Sequence, residues 1–148
     1  MYDSKEETLK HIRTVEAYID ILKKELTVRQ VQHDVSKLVS PEKEIFDEMT
    51  PRLKASTYGS EEYQGFLMQM QVALDHHYKK NRHHPEHFPN GVSGMTLIDV
   101  IEMLCDWKAA TLRHADGDIR KSIEINQKRF GYSDELKQIF LNTIEIFD

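Results

Sequence analysis

The sequence predicts an all-α fold, a single helical bundle, and three observations carry that expectation. Apolar residues recur every three or four positions through most of the chain, the interval at which they line one face of a helix. Ser or Thr is followed three residues on by an acid or amide at Ser4/Glu7, Thr27/Gln30 and Thr96/Asp99, the spacing of a capping box. Nowhere does apolar and polar alternation persist long enough to mark a strand.

Ser4 opens the first helix, expected from about Lys5 to Glu25, with Leu9, Ile12, Ile19 and Leu22 on its stripe and His11 beside it. Thr27 opens a second, in which Val28, Val31, Val35 and Leu38 mark the buried face. On this second helix rides the dyad His33-Asp34. Ser40-Pro41 starts a short third helix, since proline suits the first helical position. Thr50-Pro51 is expected to interrupt it, ahead of a loop that ends near Tyr58-Gly59.

Ser60 caps a helix that runs through Phe66, Leu67, Met70, Ala73 and Leu74 into His76-His77 and fades near Asn81. A polar loop over 82–95 follows, carrying Pro85, Pro89, Gly91 and Gly94. Thr96 then starts the most apolar helix, through Leu97, Val100, Ile101, Leu104, Trp107 and Ala110, with Trp107 expected in the core. Gly117-Asp118 and Gly131-Tyr132-Ser133 punctuate two more helices, the last ending near Phe147.

A length of 148 residues suits one domain, 1–148, with a core of its own. With 39% hydrophobic and 30% charged residues and a net charge of -5, the chain reads as an ordinary soluble protein with no broad affinity for nucleic acid. The single Cys105 cannot form an internal disulfide. No signal peptide opens the chain and no apolar run spans a membrane, so a cytoplasmic location and no membrane partner are expected.

Chemistry concentrates in a few stretches. His33-Asp34 offers an imidazole and a carboxylate, ligand types that suit Mn, Fe, Co, Ni, Zn or Mg, and His11, His76-His77 and Asp106 could complete a site. Five of the eight histidines fall between His76 and His87. His76 and His77, at a helix end, read as metal ligands or phosphate contacts. His83, His84 and His87 either cap carbonyls and pair with Glu86, or support the site and touch substrate. Asp106 sits among apolar and small neighbours, where a carboxylate needs a partner: a metal, or Lys108 or Arg113. Lys79, Lys80, Arg82 and His83 form a positive patch in an acidic protein, read either as phosphate recognition or as a solvated helix end.

Together these residues resemble the HD-domain metal-dependent phosphohydrolase superfamily, whose signature is a histidine on one helix, a His-Asp dyad on the next and a distant aspartate. The resemblance covers about Lys10 to Thr111 and implies an HD-like helical bundle. It assigns His11 to the first position, His33 and Asp34 to the dyad, and Asp106 to the last. The lysine three residues beyond the dyad, Lys37, and a His-His pair ending 29 residues before Asp106 are similar to the HD-GYP phosphodiesterases. That likeness places His76-His77 among the ligands and favours two metals over one. No Gly-Tyr-Pro follows the pair, so cyclic-dinucleotide specificity does not carry over. In its Asn-Arg-His-His-Pro-Glu loop and Asp-Trp-Lys-Ala segment the chain looks most like a small HD-like family of bacteria and their phages, which supplies a fold and a site but no substrate.

In such a site one or two divalent metals lower the pKa of a bound water and hold phosphate oxygens for in-line attack on phosphorus. Asp34 would bridge, and Lys37 would hold a phosphate oxygen or protonate the leaving group. Lys79, Arg82, His83 and His84 would face the substrate. The expected activity is hydrolysis of a nucleotide or similar small phosphate ester. A phosphodiesterase for a cyclic or signalling nucleotide is the alternative within enzymes, and a metal- or nucleotide-binding protein without turnover the alternative outside them. HD enzymes often self-associate, which makes a homo-oligomer the expected state.

Overall fold

The computed structural model describes residues 2–56, 60–113 and 115–147. They form seven α-helices and four short 3₁₀ turns, with no strand among the described residues, so the fold is all-α. None of these helices is long and apolar enough to cross a membrane. The chain divides into two compact units, Met1–His33 and Asp34–Asp148.

The first unit is essentially α1, Lys5–Gln32. It runs straight through the boundary expected at Glu25–Thr27. Thr27 does not cap a new helix; its hydroxyl donates to the Lys23 carbonyl at 2.9 Å, which lets threonine sit inside a helix. The helix stops at His33, whose backbone turns extended (φ -52°, ψ 122°) while its N–H still donates to Arg29 O.

The dyad therefore marks the end of a helix rather than riding within one. Asp34 follows with φ 56°, the one positive φ outside glycine among the described residues. Aspartate tolerates this left-handed conformation better than most side chains, at a cost of order 1 kcal/mol. Beyond it lies only a 3₁₀ turn, Val35–Leu38. Val31 and Leu38, read from the sequence as a buried face, are 73% and 69% exposed.

In the second unit α2 spans Glu42–Ala55 and continues past Pro51, against expectation. Proline removes the N–H that would bond Asp47 O, but Asp47 and Pro51 both lie on the exposed side, where water serves the freed carbonyl. The loop expected to end at Tyr58-Gly59 falls outside the described residues. Ser60 caps α3, Glu61–Gln69, by accepting from Tyr63 N at 3.1 Å. The single helix expected to reach Asn81 is divided at Met70, after which α4 spans Gln71–Lys80.

The 82–95 loop carries two 3₁₀ turns, Pro85–His87 and Gly91–Gly94. Then α5, Leu97–Thr111, opens on the expected capping box between Thr96 and Asp99. Asp118 caps α6, Ile119–Phe130, which closes on Gly131 at φ 68°; Ser133 caps α7, Asp134–Thr143. Gly117 permits the chain to double back after α5, because a Cβ there would sit 1.8 Å from the Thr111 carbonyl oxygen.

Two packing centres result. Met103, Leu104, Ile119, Ile123, Tyr132, Phe140 and Ile144 join α5, α6 and α7 in one apolar cluster. Trp107 packs against it, stacked on Phe130 with ring centroids 6.4 Å apart and edge-on to Phe140 at 5.7 Å. The other centre, where α2 meets α4 and the Val35–Leu38 turn, is polar: Glu42, His77 and Asn81 are buried there, with His83 and Asp99 buried nearby.

Candidate metal centre

Glu42, the first residue of α2, is fully buried with its carboxylate between two histidines of α4. His76 Nδ1 lies 2.6 Å from Oε1 and His77 Nδ1 2.9 Å from Oε2, while Ser36 Oγ donates to Oε2 at 3.0 Å. Burial pushes the Glu42 carboxyl up, but the hydrogen bonds from His76, His77 and Ser36 together outweigh it and hold the group below its ordinary pKa. A charged carboxylate fixes the proton of His77 on Nδ1 and leaves the Nε2 lone pair pointing the other way. Asn81 closes this side, donating to Ser36 Oγ at 2.8 Å and to the His77 carbonyl at 2.9 Å.

His83 approaches from the loop between two acids of the next helix. Its Nδ1 lies 3.1 Å from Glu102 Oε1, and its Nε2 faces Asp34 Oδ1 at 3.5 Å and Asp106 Oδ2 at 3.9 Å. Glu102 and Asp106 stand four residues apart on α5, so both reach the same histidine from one helix face. What carries His83 to that face is Arg82, whose Nε and Nη2 donate to the two oxygens of buried Asp99 at 3.1 and 3.0 Å. The guanidinium read from the sequence as a substrate contact thus ties the loop to the capping box of α5.

On the open side, His77 Nε2 lies 3.3 Å from Asp34 Oδ1 and 3.0 Å from His84 Nε2. Asp34, His77, His83 and His84 each bring one ligand atom to within 4.8 Å of the other three. Donors about 2.0–2.1 Å from a shared first-row ion stand roughly 3.3 Å apart in a tetrahedron. The contacts of 3.0, 3.3 and 3.5 Å bracket that edge, and three imidazoles with one carboxylate suit Zn, Fe, Mn, Co or Ni. The His84 imidazole is held down to about 3, first by burial and then by repulsion from His83 and His77, so it stays neutral, the form that ligates. Lys37 donates to the other oxygen of Asp34 at 2.7 Å, beside the Phe46 ring, and leaves Oδ1 to the histidines.

The sequence-flagged residues take up different places in the structure. Asp34, His77 and Asp106 come together, and Lys37 joins them through Asp34. His76 turns to Glu42 instead of the open side. His83 and His84, expected at the substrate, sit among the ligand atoms. His33 caps α1 at the end of the first unit, and His11 lies about 30 Å up the same helix, so these two cannot share an ion within one chain. Lys79 is exposed on α4, and His87 Nδ1 donates to the Tyr78 carbonyl at 2.8 Å, the capping alternative. Glu42, Ser36, Asn81 and Glu102 escaped the sequence reading. The one hint for Glu42 and Glu102 was an acid placed on a helix whose partner histidines lie elsewhere in the chain.

Beside the cluster a cleft of about 250 Å³ opens, with His84 and Asp106 in its wall. Fold and site define an all-α protein with a cluster of histidines and carboxylates that could hold a metal ion. The chain belongs to a family of unknown function (DUF5662), whose model matches residues 1–146. No curated protein and no solved structure matches it.

Proposed function

We propose that this protein is a divalent-metal-dependent phosphohydrolase acting on a small phosphate ester, a nucleotide in first place. One observation carries the reading: His77 Nδ1 is hydrogen-bonded to Glu42 and His83 Nδ1 lies 3.1 Å from Glu102, while their Nε2 atoms converge with His84 on Asp34. Carboxylate-braced imidazoles of this kind are how proteins orient metal ligands. The His-Asp and His-His motifs and their likeness to the HD superfamily supply the reaction class.

A divalent ion in such a site supplies Lewis acidity and an acidified water. The residues do the rest. Asp34, His77, His83 and His84 would hold one ion, and Lys37 keeps Asp34 aimed. Asp106, beside the open cleft, is placed to take the proton released by the attacking water. In the overall reaction a P–O bond forms to the water oxygen, the ester P–O bond breaks, and the leaving oxygen collects a proton. The positive end of Lys37, 2.7 Å from Asp34 Oδ2, is a group able to balance phosphate charge.

The test is metal content by elemental analysis, then release of phosphate from mono-, tri- and cyclic nucleotides with Mn, Co or Zn. Asp34→Asn is the control, because asparagine also tolerates a positive φ and removes only the charge. The proposal expects turnover that chelation abolishes, metal restores and the variant lacks. A metal-loaded protein silent on every phosphate ester is a binding protein, and the enzyme reading then falls.

A further inference from the structure

We infer that the cleft beside the cluster is the pocket for a planar heteroaromatic ring, the organic part of the phosphate ester, and that α6 supplies the side chains that read it. The inference rests on the metal-phosphohydrolase reading for its phosphate, but the ring pocket has evidence of its own.

Size comes first. About 250 Å³ is less than the 300–1,000 Å³ that encloses a drug-sized ligand, so the cleft has room for one ring system rather than a whole nucleotide. Its walls come next. Tyr78, Trp107 and Phe130 line it, and aromatic side chains offer flat faces and edges against which a heterocycle packs.

The polar groups decide what kind of ring. Ser122 and Asn126 are four residues apart, on one face of α6, and both line the cleft half-buried. Neither side chain is spent on a hydrogen bond to another described residue. The amide of Asn126 presents a donor and an acceptor side by side, the complement of the paired donor and acceptor on a nucleobase edge.

Charge assigns the two parts of the ligand. Arg129 is the one permanent cation lining the cleft, and its Nη2 is 2.6 Å from Glu86 Oε1 with the guanidinium over the Phe130 ring. Asp106 adds a negative charge to the wall. A phosphate gains little there, so it lies at the cluster and the uncharged ring lies in the cleft.

Trp107 is the only tryptophan in the chain and serves as the reporter. Chelator-treated protein is titrated with adenosine, guanosine, cytidine and uridine, and with ribose 5-phosphate as the ring-free control, while Trp107 fluorescence is followed. At least one nucleoside is expected to quench saturably and the ring-free control not to. Asn126→Leu, of similar shape without the amide, is expected to weaken that nucleoside about tenfold and to leave metal content unchanged. Quenching by ribose 5-phosphate as strongly as by nucleosides, an unaltered affinity in Asn126→Leu, or no response to any nucleoside overturns the inference. Because nucleosides carry no phosphate and the protein no metal, binding here with no hydrolysis in the phosphate-release assay would sink the enzyme reading alone.

Discussion

The Glu42 carboxylate and the His77 imidazole lie 2.9 Å apart, Oε2 to Nδ1, and neither side chain is more than 2% exposed. A hydrogen bond sealed from water fixes the ring's tautomer and direction together. Glu42→Gln keeps the shape but removes the charge, and metal affinity is expected to fall about 10- to 100-fold. Competition against a chelator of known affinity measures it. An unchanged affinity would show that Glu42 only fills the interior.

His76 and His77 are neighbours in sequence with different tasks. His77→Ala is expected to abolish metal binding, since its Nε2 is one of the four converging atoms. His76→Ala leaves those four in place and removes one hydrogen bond from Glu42, at about 1 kcal/mol or less, with His76 itself 30% exposed. Metal content of the two purified variants separates them. Equal losses would contradict the geometry.

Arg82 is expected to matter for stability before it matters for substrate. Arg82→Ala leaves the buried Asp99 carboxylate without its bidentate partner, which costs about 2–3 kcal/mol after allowing for the 42% exposure of the arginine. Arg82→Lys restores only part, because one ammonium cannot reproduce the fork. Urea unfolding of the three proteins ranks them. A wild-type midpoint in Arg82→Ala would return Arg82 to the substrate side.

Tyr132 sets a pH dependence remote from the site. Its hydroxyl donates to the Ile123 carbonyl, and burial pushes its pKa from 10.0 up to about 12. The folded state therefore holds a proton that the unfolded chain releases. This contribution is complete below pH 10 and is lost as pH rises towards 12. Tyr132→Phe should be about 1 kcal/mol less stable at neutral pH and lose stability less steeply across that window, as thermal unfolding at stepped pH would show. Parallel pH profiles would mean that another group governs the alkaline limb.

The sequence by itself determined what depends on neighbours within a turn. Ser60, Thr96 with Asp99, Asp118, Ser133 and Gly131 all act as the end signals their types announce, because a cap is a bond between residues two to four positions apart. Periodicity made the fold all-α for the same reason. Local signals misled at Thr27 and Pro51, where a back-bonded hydroxyl and an exposed carbonyl allow the helix to continue. Only the tertiary structure decided which histidine turns inward. His76 and His77 carry identical side chains, and Glu42, 34 and 35 positions earlier, separates their roles. It also drew His83 and His84 into the cluster, since their direction follows from Arg82 gripping Asp99 across a loop and from Glu102 on the next helix. Ligand direction is set by partners distant in the chain and brought close by packing, and no spacing within the sequence encodes it.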